Sequence, residues 1–290
     1  MVSPVSKLSG RQIGEGDIPA VAGLLARGFR KRSRQFWKQA FEQLGKREPP
    51  PSLPKYGYMI EREGVPVGAL LLICATVRTG GESVTRCNFS SWYVEPEFRA
   101  QATLLVSMAL RRKDVTYLNV SPAQHTVPII EAQGFSRYCE GVFVAVPLLS
   151  RPLRAEQAKV LDAFQRPEVA FDPSEHDLLL DHASLGCMSL WCVTSERAYP
   201  FVFRRRLVKG VIPCVQLIYC RDVADFVRFA APLGRFLALH AGFLVMINAN
   251  DPIPGLAGKF FRDKMPKYFR GPQRPALGDL AYTEIAVLGV

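Results

Sequence analysis

The 290-residue sequence is short of the features that assign a protein quickly. It has four His, too far apart along the chain to suggest a metal cluster. Its seven Cys, at 74, 87, 139, 187, 192, 214 and 220, are odd in number, form no CxxC and mostly sit inside apolar runs. Neither a disulfide framework nor a zinc site is expected from them; they read as small buried hydrophobes in a reducing compartment. No apolar run reaches the ~18 residues that a spanning helix needs, and the longest lies near residues 67–77. Residues 1–10 hold no apolar core of a signal peptide, so the expected location is cytoplasmic. The stretch 248–255 reads as loop and supports no Asp-rich metal site, so no metal is expected. There is no helix-turn-helix, zinc-finger or RNP signature, and nucleic acid is therefore not an expected partner.

What remains is ordinary globular composition, 48 % hydrophobic and 22 % charged, which excludes disorder, collagen and coiled coil as global descriptions. The length suits two modest domains or one large one. Lys and Arg outnumber Asp and Glu by 37 to 26, for a net charge of +11. The excess is shared, 19 basic against 12 acidic residues in 1–150 and 18 against 14 in 151–290, so no isolated basic tail exists. Such a chain attracts anions: nucleotides, phosphorylated cofactors, acidic lipid or nucleic acid.

Periodicity gives the element order. Residues 18–44 read as one amphipathic helix with a basic stripe of Arg27, Lys31, Arg34 and Lys38. The four prolines in 46–55 make a loop. Strands are expected at 56–63 and 66–77 around Gly64, then at 86–94. A helix over 98–113, a strand at 115–120, a short helix at 126–133 stopped by Gly134, and final strand structure in 135–147 follow. The Pro- and Arg-bearing stretch 147–154 is the best boundary, giving domains 1–150 and 151–290. Beyond it come a helix at 175–185, strands at 187–193, 198–206 and 213–220, a long helix at 222–240, a strand at 243–248, a short helix at 255–261 and a terminal strand at 281–288. Both halves thus read strand–strand–strand–long helix–strand–short helix–strand, a repeat of order without residue-level identity.

The informative stretch is 87–135. A strand ends in Trp92-Tyr93-Val94-Glu95-Pro96-Glu97-Phe98-Arg99; a helix with Leu104-Leu105 follows; then comes Thr116-Tyr117-Leu118-Asn119-Val120, and a short helix ends at Gly134-Phe135. This resembles the GCN5-related N-acetyltransferase (GNAT) superfamily over about residues 15–147 and, by element order, a tandem of two such units. The resemblance implies an α+β fold: two GNAT-like domains, each a mixed, mostly antiparallel sheet flanked by helices. It implies acetyl-CoA or another acyl-CoA as co-substrate. Tyr93, Val94, Arg99, Ala100, Gln101, Ala102, Thr103 and Asn119 would hold it. The physical logic is that a turn at a helix start offers inward N–H groups and a favourable dipole to a pyrophosphate. A splayed strand, meanwhile, offers backbone partners to the pantetheine arm. The sequence departs from the family's [QR]-x-x-G-x-[GA]: Ala102 and Leu104 replace the two small positions, which leaves the dipole and Arg99 but removes room for close backbone approach. The second half offers Cys220-Arg221-Asp222 at the corresponding place, without glycines; it reads as a structural copy that has lost the site, with the reverse assignment of the two halves left open.

Amine acylation needs a base for the ammonium proton, a donor at the thioester oxygen and an acid for the leaving thiolate. The family's usual Tyr acid, four residues before the Gly of Gly-Phe, is replaced here by Ile130. The candidates left for catalysis are Glu95, Ser91, His125 and Tyr138. Ser90 and Ser91 are expected on opposite faces of their strand, one of them facing the cleft. The expected function is acyl-CoA-dependent N-acyl transfer to a small-molecule or peptide amine. Two alternatives stand beside it: a GNAT-like module that binds without catalysing, and a basic binder of nucleic acid or a membrane surface. For the last, the basic run at Arg204-Arg205-Arg206 and Lys209 counts. So does the interleaving of Lys259, Arg262, Lys264, Lys267 and Arg270 with aromatic residues.

Overall fold

The structure, a computed structural model, describes residues 8–79, 82–151, 156–208 and 210–289. Residues 1–7 of the N-terminal stretch, positions 152–154 of the expected linker and Lys209 of the basic run lie outside the described residues. By its contacts the chain divides into two compact units, one of residues 1–119 with 270–273, the other of 120–269 with 274–290.

The first unit holds β1 (Leu8–Gln12), α1 (Ile18–Gly28), α2 (Arg34–Gly45), β2 (Gly57–Arg62), β3 (Val65–Thr79), β4 (Glu82–Val94), α3 (Ala102–Ala109) and β5 (Thr116–Asn119). Its sheet runs β1-β2-β3-β4-β5, antiparallel throughout except for the parallel pair β4/β5. The expected strands at 56–63, 66–77 and 86–94 are present, and Glu63 and Gly64 turn the β2–β3 hairpin with φ of 51° and 80°, the signature of a tight two-residue turn. The single helix expected over 18–44 is two. Phe29 leaves the helical region at φ −112°, ψ 72°, and Ser33 Oγ accepts the Phe36 N–H to start α2 afresh. A side-chain acceptor at an N-cap overrides a hydrophobic stripe that looks continuous. Each helix buries one stripe: Val21, Ala22, Leu24 and Leu25 on α1, and Trp37, Ala40, Phe41 and Leu44 on α2. Each such side chain contributes on the order of 1.5–3 kcal/mol relative to exposure, less for the alanines. The helix expected over 98–113 is only the eight residues of α3; before it, Pro96–Gln101 form a 3-10 turn.

Cys74 and Cys87 correct the reading of the cysteines. They stand directly opposite in the β3/β4 register and are joined as a disulfide, their Cα atoms 4.0 Å apart. Spacing along the chain carries no hint of this, because register creates the proximity. Cys139, Cys187, Cys192, Cys214 and Cys220 are free and buried.

The second unit holds α4 (Val127–Ala132), β6 (Ser136–Ala145), β7 (Lys159–Asp162), α5 (Pro173–Ser184), β8 (Met188–Val193), β9 (Ala198–Val208), β10 (Ile212–Tyr219), α6 (Val223–Arg228), α7 (Ala230–His240), β11 (Leu244–Ala249), β12 (Gly258–Arg270) and α8 (Glu284–Val287). Its sheet runs β12-β6-β11-β10-β9-β8-β7, again with one parallel pair, β10/β11. The core stacks Phe201 and Phe203 of β9 against Phe226 and Phe229, with Leu233, Leu237, Val245 and Ile247 around them. The mixed, mostly antiparallel α+β architecture expected from the sequence is therefore present.

Three readings in this half are corrected. The helix expected over 222–240 is two helices that meet at Phe229, φ −100°, ψ 17°. The short helix expected at 255–261 is the start of β12. There Gly258 pairs with Ala145 and lies so close to β6 that a Cβ would fall 2.3 Å from the Val144 carbonyl oxygen. The apolar pair Phe260-Phe261 is too short for its period to separate strand from helix. The terminal strand expected at 281–288 is the helical turn α8, all four of whose residues are buried; packing outweighs the β-preference of its branched residues. The repeat of element order thus loses its second short helix among the described residues.

Candidate functional site

In the first unit the site is built by the way β4 leaves its parallel neighbour. Only three rungs join them: Arg86↔Thr116, Cys87↔Tyr117 and Asn88↔Leu118. β5 then ends at Asn119, while β4 runs on to Val94. On its other side β4 carries an extra residue, since Leu71 pairs with Ser90 and Ala69 with Tyr93. Ser91 absorbs the bulge with φ 54°, a left-handed conformation that costs a non-glycine residue about 1–2 kcal/mol. A bulge re-aims the strand, and here it does so just past the last rung. It also cancels the alternation of faces: Ser90 and Ser91, expected on opposite sides, have their hydroxyl oxygens 3.1 Å apart. At the apex, on the last rung, sits buried Asn88. Its Nδ2 donates to the Phe89 carbonyl, and its Oδ1 has no hydrogen-bond partner among the described residues.

Downstream, Glu95 closes the strand. Its N–H donates to the Val67 carbonyl at 2.9 Å, and its carboxylate accepts from Arg27 of α1 at 2.6 Å. The sequence reading put Arg27 on a basic stripe and Glu95 at the cleft mouth; the fold joins them. The following turn is wound by Phe98 N–H to Glu95 carbonyl (2.9 Å) and Ala102 N–H to Arg99 carbonyl, which uses two N–H groups internally. Arg99, Ala100, Gln101 and Thr103 are exposed and Ala102 half-buried, so the turn is not filled by its own side chains. α3 follows with Leu105, Val106, Met108 and Ala109 buried. Val94 is buried, and the Tyr93 ring lies flat on α1 where a Cβ on Gly28 would fall 2.3 Å from its Cγ. Gly28, read from sequence as part of an apolar stripe, is required to be glycine by that ring. Asn119 ends β5, half-buried.

The fold thus gathers the expected acyl-CoA-holding residues, together with Glu95 and Ser91, in one unit. His125 and Tyr138 belong to the other. His125 is exposed on a single 3-10 turn, Gln124–Thr126. Tyr138 is buried on β6, its ring edge-on to Phe269 at 5.9 Å. Ile130, at the place of the family's acid, is fully buried. Among the described residues no group of three or more His, Cys, Asp or Glu could hold a metal, and no helix is long and apolar enough to cross a membrane.

The second unit repeats this geometry at β10/β11. Three rungs again, Cys214↔Leu244, Val215↔Val245 and Gln216↔Met246, precede a bulge on the first strand, between Leu217 and Tyr219. The last rung again carries a buried amide, Gln216, with an orphan side-chain oxygen. Then the likeness stops. The chain's own segment 277–280 lies along the end of β10: Cys220 N–H donates to the Gly278 carbonyl (2.9 Å), Leu280 N–H to the Ile218 carbonyl (2.7 Å), and Tyr219 bridges Asp279 antiparallel. Asn248 of β11 donates to the Leu277 carbonyl at 3.0 Å, so both strands hold the insert. Arg221, which follows β10 as the 95–99 stretch follows β4, is turned inward. It forks onto buried Glu175, donates to the Ala198 carbonyl at 3.2 Å and stacks over Tyr199. The sequence flagged 220–222 as a lost copy; it gave no sign of what fills it.

One buried charge escaped sequence reading altogether. Lys267, counted among surface cations, is fully buried on β12 opposite Cys139, and its Nζ donates to the Met265 carbonyl at 3.0 Å. Burial pushes its pKa down to about 8.

No protein-family model matches the chain, and no curated protein matches it in sequence. Solved structures do. A GCN5-related N-acetyltransferase from Anabaena variabilis aligns over 91 % of this chain and 72 % of its own, with 12 % identity and a TM-score of 0.59. A GCN5-related N-acetyltransferase from Kribbella flavida aligns over 91 % and 71 %, with 16 % identity and a TM-score of 0.53. Identities this low speak to the fold alone, and the fold is that of the GNAT superfamily.

Proposed function

We propose that the chain is an acyl-CoA-dependent N-acyltransferase, moving an acetyl or other acyl group to a small-molecule or peptide amine, and that its acyl-CoA site is the β4/β5 opening of the first unit. The observation that carries this is the three-rung parallel ladder that ends at Asn88↔Leu118, with the Ser91 bulge beyond it and an exposed turn leading into α3. A diverging strand presents backbone groups that an extended pantetheine can pair with. The positive end of α3, with Arg99 beside it, suits a pyrophosphate. The residues present fit such a group in charge and exposure, with Tyr93, Val94, Ala100, Gln101, Ala102, Thr103 and Asn119 in the cradle. Bound acyl-CoA would supply the thioester for attack by the amine.

In this reading Glu95 serves chiefly to anchor the cradle, because its carboxylate is already engaged by Arg27. The Ser90–Ser91 hydroxyl pair is the polar group nearest the bulge and the candidate for handling a proton there. The second unit is the degenerate partner of a tandem, its opening closed by residues 277–280; the boundary expected at 147–154 lies inside this unit, because β6 pairs with β11 and β12. A cytoplasmic setting goes with the reading, since acyl-CoA is held inside cells.

A second reading, a module that binds acyl-CoA without turnover, is favoured by one observation: the family's acid position is a fully buried isoleucine. Two measurements separate the readings. Titration calorimetry with acetyl-CoA and longer acyl-CoAs is expected to give one site per chain; no heat and no thermal shift with any of them would sink both. Release of free CoA thiol with a panel of amines is expected under the first reading, and binding without release would establish the second.

A further inference from the structure

The basic run at 204–206 has no part in the proposed reaction, and the fold places it beside an unusual surface. At one end of the second unit's sheet, the end of β9, the start of β10, the end of α7 and the start of β11 come together. Leu207 pairs with Pro213, Cys214 with Leu244, and the backbone of Gly242 comes so near β10 that a Cβ on it would lie 3.0 Å from the Pro213 carbonyl oxygen. Arg205 reaches across to the His240 carbonyl at 2.9 Å. The side chains this end presents are large and apolar: Leu207 is 60 % exposed, Val211 75 %, Leu239 84 % and Phe243 54 %. Arg205 and Arg235 are exposed beside them. Neither 203–214 nor 230–244 contains an Asp or Glu.

We propose that this end of the second unit docks on the surface of an anionic lipid bilayer, with Leu207, Val211, Leu239 and Phe243 entering the interface and the arginines meeting acidic headgroups. Clustered exposed aliphatic residues on a protein surface mark an interaction site, and their combination with cations free of neighbouring acids matches a negatively charged, apolar-cored partner. A second copy of the chain fits less well. An isologous contact sets the patch against itself, arginine facing arginine with no carboxylate to separate them. Nucleic acid would call for stacking rings, whereas three of the four apolar side chains are aliphatic.

The test is co-sedimentation of the full chain with vesicles of phosphatidylcholine alone or with about one third phosphatidylglycerol. Binding is expected to the anionic vesicles, to fall with salt, and to be weak on phosphatidylcholine. The double variant Val211→Ser with Leu239→Ser is expected to lose tenfold or more in affinity, and Arg205→Glu to lose binding selectively for the anionic vesicles. Because these positions are exposed, circular dichroism should find both variants folded. Failure to bind anionic vesicles, or equal binding by the double variant, overturns the proposal. So does a sedimentation-velocity dimer that the same double variant dissolves, or salt-sensitive retention of nucleic acid in its place.

Discussion

Two parallel strand pairs, β4/β5 and β10/β11, start alike and end differently. Each has three rungs, a buried amide on the last rung and a bulge on the first strand just beyond. At β4/β5 the strand runs on past its neighbour into a turn whose Arg99 faces water. At β10/β11 the chain lays its own residues 277–280 along the strand and folds Arg221 back onto Glu175. The lesson is that an opening between strands is a demand for hydrogen bonds rather than a site. Buried backbone groups must be paired, and either a ligand or the chain itself can meet that demand. Where the chain meets it, the nearby cation becomes structural.

That contrast can be broken most forcefully at its arginines. Arg221→Met would strand the Glu175 carboxylate in a buried place. A loss of roughly 3–5 kcal/mol is expected, seen as a fall in Tm of several degrees, with acyl-CoA binding per folded molecule unchanged. Arg99→Met should do the reverse: Tm within a degree of the parent, and acetyl-CoA affinity down about tenfold, the worth of one charge-assisted contact. If both variants behaved alike in calorimetry and thermal melts, the distinction between an open and a filled pair would fail.

Lys267 sharpens the same contrast, since it is another cation that the second unit keeps inside. Its amine ionises near pH 8 in the folded chain against 10.5 when free. Between those values the unfolded chain binds more protons, so this group's contribution to stability rises as pH increases through the window; below pH 8 its cost is fully felt. Lys267→Met is therefore expected to stabilise by about 2 kcal/mol at pH 7, after allowing for the lost bond to Met265, and the gain should vanish above pH 10.5. Melting curves across that range check it; a gain that persists at the alkaline end would contradict it.

The smallest effect concerns the bulges. Ser91→Gly relieves the left-handed residue and should raise stability by up to about 1 kcal/mol, while Ser91→Val should lower it by about as much. The bulge on β10 includes no left-handed residue, so no such relief is on offer there. Chemical denaturation of the two variants settles the signs.

Much of the first unit was legible in the sequence because its cues are local. Alternation around Gly64 marked the β2–β3 hairpin and the prolines of 46–55 marked a loop; in the second unit Gly134, at φ 84°, stopped α4 as expected. The Val94–Arg99 turn was legible by resemblance. The site's working details were not. The Ser91 bulge has no residue signature, because serine is not a residue that announces a positive φ. The Arg27–Glu95 pair joins residues far apart in sequence. The Cys74–Cys87 contact follows from register, which odd-numbered cysteine arithmetic cannot see. In the second half, 255–261 and 281–288 were misread because short apolar runs hold no reliable period.

By itself, the sequence determined what nearest-neighbour physics can determine: which stretches bury a face, where glycine and proline interrupt, that a strand feeds a helix through an arginine-bearing turn, and that the chain carries a large positive charge. Tertiary structure alone decided that the β10/β11 pair is filled, because that depends on residues 277–280 returning nearly sixty positions after β10 to supply its missing hydrogen bonds. Such long-range pairing is paid for by the fold as a whole, and no local pattern records it.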